Sequence, residues 1–191
     1  MYSKVRLDLF DNKKSLDRGV SKGKEAIWYI IKCIFFLSPI PYPYRLKVFL
    51  LKIFGAEIGK GLVIKPRVNI HFPWKLEIGD NVWIGEEVFI LNFEKVIIGN
   101  NVCISQRAFL CGGNHDYKQI DMPYKNGEIK LNDGCWIGAC SFIAPNVIVG
   151  VDTVVAANSL VSKSLQENSL YGGNPVVFKK NRWHDTEGEF L

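Results

Sequence analysis

Paired cysteines, clustered histidines, charge of one sign and a run long enough to cross a membrane are all missing from this chain, and each absence removes a class of protein. The strongly apolar stretch 26–37 (AIWYIIKCIFFL) is interrupted at Lys32, and its twelve residues fall short of the roughly 20 that a spanning helix needs. It also lacks the position and cleavage site of a signal peptide. The five cysteines (Cys33, Cys103, Cys111, Cys135 and Cys140) are an odd number with no C-x-x-C pair. That pattern indicates neither a disulfide framework nor a zinc site, and the cytosol is the natural compartment. There is no low-complexity segment. A net charge of +5, with acids interspersed along the chain, gives little footing for nucleic acid. What remains is 191 residues, 48% hydrophobic and 23% charged, enough for one or at most two folded domains.

What the chain does have is a clock. Ile58, Ile64, Ile70, Ile78, Ile84, Ile90, Ile98, Ile104, Leu110, Leu131, Ile137, Ile143, Val149, Val155 and Val161 recur at six-residue spacing within triplets. An amphipathic sheet alone would repeat every two residues; a fixed longer period marks a solenoid whose repeats bury their aliphatics against one another. Three hexads make one triangular coil. The residue after each aliphatic is often Gly, Ala or Ser, which predicts a turn needing backbone angles that a Cβ hinders. The fourth residue after it is usually small or β-branched (Val68, Val82, Val88, Val102, Ala108, Ser141, Val147, Thr153, Ser159) and suits a second inward position. Four of the cysteines lie inside hexads, as small hydrophobes. The clock stops after Leu110 and resumes at Leu131, which places a long loop, residues 112–130, at one corner of the third coil.

The sequence divides into an arm and apolar helical cap (1–55), a β-helix domain (56–170) and a C-terminal tail (171–191). Residues 1–24 are polar and basic and predict a loosely packed arm. Residues 26–37 and 46–54 predict a helical hairpin. One reading has it cap the open end of the solenoid; the other has residues 26–37 lie in a membrane interface, with Trp28, Tyr29, Phe35 and Phe36 at the headgroups.

The interrupted corner, Leu110-Cys-Gly-Gly-Asn-His-Asp-Tyr117, is the place to look for chemistry. Long loops in compact folds are disproportionately functional, and His115, one of three histidines, is suited to general-base work. Asn92 lies one coil below Gly112 and could hydrogen-bond a substrate hydroxyl, or it could simply be a turn asparagine. Asp116 could orient the histidine, although neighbours on an extended chain point oppositely and a backbone carbonyl would serve as well.

With the Asn-His-Asp loop, Trp136-Ile-Gly-Ala139, residues 156–163 (AANSLVSK) and Gly172-Gly-Asn-Pro175, the chain resembles the hexapeptide-repeat acetyltransferases. Residues 36–41 (FLSPIP), 50–55 (LLKIFG), 64–67 (IKPR), 74–79 (WKLEIG) and 102–106 (VCISQ) make it most similar to the colanic acid biosynthesis acetyltransferases. The resemblance covers roughly residues 26–182.

It implies a left-handed parallel β-helix, a homotrimer, acetyl-CoA as donor and a sugar hydroxyl of an exopolysaccharide, capsule or lipid-linked glycan as acceptor. His115 would be the catalytic base, Asn92 and Asp116 would line the acceptor side, and no metal is expected. Ala139 and Ala157 would hold the pantetheine arm through their backbones, with Ser162, Lys163 and Lys180 near the nucleotide; a solvated basic tail is the plain alternative for these lysines. Val177 stands where many relatives carry a basic residue. The outward aromatics Trp83, Phe89, Phe109, Trp136 and Phe142 suit contacts between subunits. Alternative acceptors are an amino-sugar nitrogen or serine. The same fold also serves zinc carbonic anhydrases, for which His71, His115 and His184 would be the ligands, and non-catalytic scaffolds. The apolar N-terminal segment points toward the inner face of the membrane.

Overall fold

The computed structural model describes residues 4–183; His184 lies outside them. All fifteen clock positions are buried, none more than 9% exposed, and they stack as three parallel sheets around one core. The first face runs through Ile58, Ile78, Ile98, Leu131 and Val149, the second through Ile64, Ile84, Ile104, Ile137 and Val155, and the third through Ile70, Ile90, Leu110, Ile143 and Val161. Ile58 pairs with Ile78, Ile98 with Leu131 and Leu131 with Val149, so the coils differ in length while the faces stay in register. The extra residues all fall at the corner between the third face and the next coil's first face. That third corner carries residues 71–75, then 92–95, then the long loop.

The small residues after the aliphatics have a different cause from the expected one. Those glycines, such as Gly85 and Gly138, do not adopt left-handed angles; a Cβ on Gly85 would lie 2.7 Å from the nitrogen of Gln106, and one on Gly138 2.5 Å from that of Ala157. The adjacent coil's backbone, not the turn, excludes a side chain. The left-handed angle falls two residues later, at Asn81, Glu87, Asn101, Arg107, Cys140, Asn146, Asp152 and Asn158. Asn and Asp tolerate that region best among residues with side chains. Cys135 is the small core residue expected of it, its thiol pushed up to about 11 by burial. Cys140 is instead exposed.

At one end the helical hairpin caps the solenoid. Helix α1 (Asn12–Ser15) belongs to the arm; α2 (Lys22–Ile31), extended by a wider turn at Lys32–Phe36, and α3 (Tyr44–Ile53) form the cap. Trp28, Phe36, Leu51 and Phe54 enter the core. Carbonyls of the first coil have no coil beyond them to bond, and buried carbonyls need donors. The Trp28 indole donates to the carbonyls of Ile70 (3.2 Å) and His71 (3.0 Å), and the buried Lys47 ammonium donates to that of Lys65 (2.9 Å). At the other end, Ser169–Gly172 joins the second face and pairs antiparallel with Val177–Asn181. Much of the described tail is therefore a strand pair.

The arm is not loose over residues 6–18. It lies along the third corner, where Trp74 Nε1 donates to the Arg18 carbonyl (2.7 Å), Lys75 Nζ to the Asp17 carbonyl (2.5 Å) and the Tyr124 amide to Ser15 Oγ (3.1 Å). Leu16 is buried. A polar sequence without periodicity is anchored here by single tertiary contacts.

Candidate active site

The loop after Leu110 folds as two limbs. The Gly127 amide donates to the Gly112 carbonyl (3.0 Å), that of Lys125 to Asn114 (2.8 Å) and that of Asp116 to Pro123 (2.8 Å), and His115 faces Tyr124 in an antiparallel bridge. The root is tight, since a Cβ on Gly112 would lie 2.9 Å from the Leu91 carbonyl and one on Gly127 2.4 Å from the Asn146 side chain.

His115 is half-buried, with Nδ1 2.6 Å from the carbonyl oxygen of Met122. A carbonyl only accepts, so Nδ1 carries a proton, and in the neutral ring the lone pair is on Nε2. That is the tautomer a general base needs, oriented by backbone. The ring packs against Tyr124 (centroids 4.8 Å, 35°) and Phe10 of the arm (5.6 Å, 55°). Below it an aromatic column descends the same corner, from Tyr124 to Phe93 (5.3 Å), Phe93 to Phe72 (5.9 Å) and Phe72 to Trp74 (4.9 Å).

Asp116 does not orient the histidine. Its carboxylate accepts from Gln119 Nε2 (3.2 Å) and the Lys118 amide (3.1 Å), contacts that hold its pKa below the usual carboxylate range, the Gln119 side chain first. Asn92 is at the expected level but fully buried: Oδ1 accepts from the Phe72 amide (2.8 Å), and Nδ2 donates to the carbonyls of Phe72 (2.5 Å) and Lys75 (3.3 Å). Its amide braces the corner beneath the loop. His71 is pressed between Phe72 and Phe93 (centroids 4.4 and 5.0 Å). Burial first, then the nearby Lys32 and Arg18 cations against Glu25, lower its pKa to about 4. Among the described residues no three His, Cys, Asp or Glu side chains converge.

Ala139 and Ala157 stack at the second corner, between the second and third faces, where the Asn158 amide donates to the Ala139 carbonyl (2.8 Å). Ala139 lines a shallow cleft with Glu86, Glu87, Gln106, Arg107 and Cys140. Glu87 bridges Arg67 (3.0 Å) and Arg107 (2.7 Å) along that corner. Ser162 and Lys163 are exposed and follow Val161 at the third corner, on the histidine side; Lys180 is exposed on the strand Val177–Asn181. Ala139 and Ala157 on one side and Ser162 and Lys163 on the other thus occupy two corners, separated by one face, about 20 Å of extended chain, and Lys180 lies on the strand pair that extends the second face. Sequence reasoning missed Met122, Tyr124 and Phe10, because nothing in a pattern marks a carbonyl or a ring brought in from the arm.

A triangular hexapeptide coil with one histidine-bearing loop is the architecture of a class of acyltransferases, and comparison with known proteins agrees. No family model matches the chain. It is 38% identical over 165 residues to the "Putative colanic acid biosynthesis acetyltransferase WcaF" of Escherichia coli (strain K12), covering 86% of this chain and 91% of that protein. Among solved structures, the hexapeptide-repeat acetyltransferase VCA0836 of Vibrio cholerae O1 biovar eltor, complexed with acetyl-CoA, matches with TM-score 0.77 at 22% identity, over 85% of this chain and 89% of that one. A galactoside acetyltransferase in complex with coenzyme A matches with TM-score 0.75 at 20% identity, over 88% and 89%. These likenesses identify the left-handed parallel β-helix. The chain belongs to the hexapeptide-repeat acetyltransferases, in the group that includes the colanic acid biosynthesis enzyme WcaF.

Proposed function

We propose that the protein transfers the acetyl group of acetyl-CoA to a hydroxyl of a sugar in an exopolysaccharide, capsule or lipid-linked glycan precursor, with His115 as base. The observation that carries this reading is the His115–Met122 contact, which in the neutral ring puts the lone pair on Nε2. Nε2 removes the hydroxyl proton as the sugar oxygen attacks the thioester carbonyl carbon. The C–S bond of the resulting tetrahedral oxyanion then breaks, and the imidazolium returns its proton to the CoA thiolate, giving sugar acetate and CoA thiol. An amine acceptor would need the same proton removal, so transfer to an amino sugar is the second reading.

The two-corner arrangement supports a site shared between copies. A groove formed by the second corner of one copy and the third corner of another would unite Ala139 and Ala157 with His115, Ser162 and Lys163, as in a cyclic homotrimer. The third face carries the column Phe89, Phe109 and Phe142 (centroids 4.7 and 5.2 Å) and the second face the exposed Trp83 and Trp136, surfaces of the kind found in interface cores. Lys163 and Lys180 supply point charges for the nucleotide phosphates.

The cap's outward side supports contact with the inner face of a membrane. Ile27, Ile30, Ile34, Phe49 and Ile53 are exposed on it, and residues 26–56 contain no acid while Arg45 and Lys52 are exposed. No helix of the described residues is long and apolar enough to cross a bilayer, so the contact would be interfacial.

The test is release of CoA thiol from acetyl-CoA by wild type and His115→Ala against a panel of sugars and lipid-linked glycan fragments. Acceptor-dependent release that falls by at least about 10²-fold in the variant is expected. Release unchanged by the substitution would overturn the assignment of the base.

A further inference from the structure

The arm reaches the histidine itself. Between Arg6 and Ser15 it meets the loop at three places. The Arg6 amide donates to the Ile120 carbonyl (2.7 Å), Phe10 packs on both His115 (5.6 Å) and Tyr124 (5.2 Å, edge-on), and Ser15 Oγ receives the Tyr124 amide (3.1 Å). Ile120, Met122 and Tyr124 lie on the stretch that returns past His115, so the arm holds the segment that orients the imidazole as well as the imidazole.

We propose that the N-terminal arm is part of the catalytic apparatus, with Phe10 a positioning residue that fixes the His115 ring and forms one wall of the acceptor site. A single hydrogen bond at Nδ1 leaves the ring free to swing about that contact. Tyr124 and Phe10, in contact with each other and at different inclinations to the imidazole, form a two-ring corner that restrains it. The restraint matters because a displacement of about 1 Å at a reacting group can cost 10²-fold in rate. The acceptor oxygen must come within about 3 Å of Nε2, so a ring in contact with the imidazole also borders the space that the acceptor enters. Phe10 is half-buried with part of its surface open, which leaves an aromatic face beside that space. This inference rests on His115 being the base.

Two readouts on the intact protein test it, with Phe10→Ala, Phe10→Leu, Phe10→Tyr and His115→Ala compared. The first needs no acceptor: imidazole nitrogen NMR, with the His115 resonances identified by their loss in His115→Ala. The Nδ1–H tautomer is expected to dominate in wild type and Phe10→Tyr, and the other tautomer to gain population in Phe10→Ala and Phe10→Leu. The second is steady-state kinetics. Phe10→Ala is expected to lower kcat about 10- to 100-fold and raise the acceptor KM, with the acetyl-CoA KM within twofold and an unchanged melting temperature; Phe10→Tyr should recover most of the loss. Wild-type tautomer populations in Phe10→Ala, or wild-type kinetics in that variant while His115→Ala is inactive, would overturn the proposal for the arm alone. A loss that Tyr does not rescue and that follows the melting temperature would reduce Phe10 to a structural residue. Full activity in His115→Ala would remove the reading beneath it.

Discussion

The three faces of the solenoid and its third corner are built by opposite rules. On a face every residue has a counterpart one coil away, and Ile90 is inside because Ile70 and Leu110 are inside above and below it. At the third corner the counterparts are unequal: a short aromatic turn, an asparagine brace and then a long loop under an arm from the other end of the sequence. The faces derive their stability from repetition. The corner uses that rigid frame to hold unrepeated groups, which is how one architecture carries different chemistries.

The difference can be broken first at the core. Leu110→Ala removes a fully buried side chain at the base of the loop and is expected to destabilise the protein by about 3 kcal/mol, read as a shift in denaturant midpoint. Glycine sharpens the contrast. Gly138→Ala puts a Cβ 2.5 Å from a backbone nitrogen, whereas at Gly113 it would meet the Leu91 and Phe93 side-chain ends at 3.1 Å. The former should lose about 2 kcal/mol and weaken CoA binding through Ala157, and the latter less than half of that; thermal melts and CoA titration would separate them.

A smaller effect is expected from His71. Its folded pKa of about 4 lies below the ordinary 6.5, so the unfolded chain binds the proton first. Its contribution is intact above pH 6.5 and lost as the pH falls toward 4. His71→Phe should reduce the drop in melting temperature between pH 7 and pH 4.5 by about 5 °C; an unchanged slope would mean that the ring is solvated. Smallest of all, Asp116→Asn should change kcat by less than about threefold, because that carboxylate holds the Lys118 amide and the Gln119 side chain and not the histidine.

The same contrast explains what the sequence discloses. Ile58 to Val161 announce the coils because burial repeats with the backbone, and His115 stands out because the repeat stops around it. Asn92 is placed at the right level by the twenty-residue offset, yet spacing cannot tell whether its amide faces substrate or backbone. Met122 contributes only a carbonyl, which any residue possesses. Phe10 is one aromatic in a polar arm, with a partner more than a hundred positions away, and no periodicity reports such a contact. The glycines were visible as a pattern, but their cause, the neighbouring coil's backbone, requires the stacked structure.

The proposed base and the proposed cofactor groove lie at different corners and would come together between copies. Co-expression of two defective chains tests this directly, one carrying His115→Ala and the other Ala157→Trp, with thiol release measured on the purified mixed oligomers. Each variant alone should be inactive, and in the proposed cyclic trimer the oligomers that contain both should regain about a third of wild-type activity, since one of their three shared sites pairs an intact histidine corner with an intact groove. Mixed oligomers as inactive as the single variants would place both corners' functions within one chain and contradict the account.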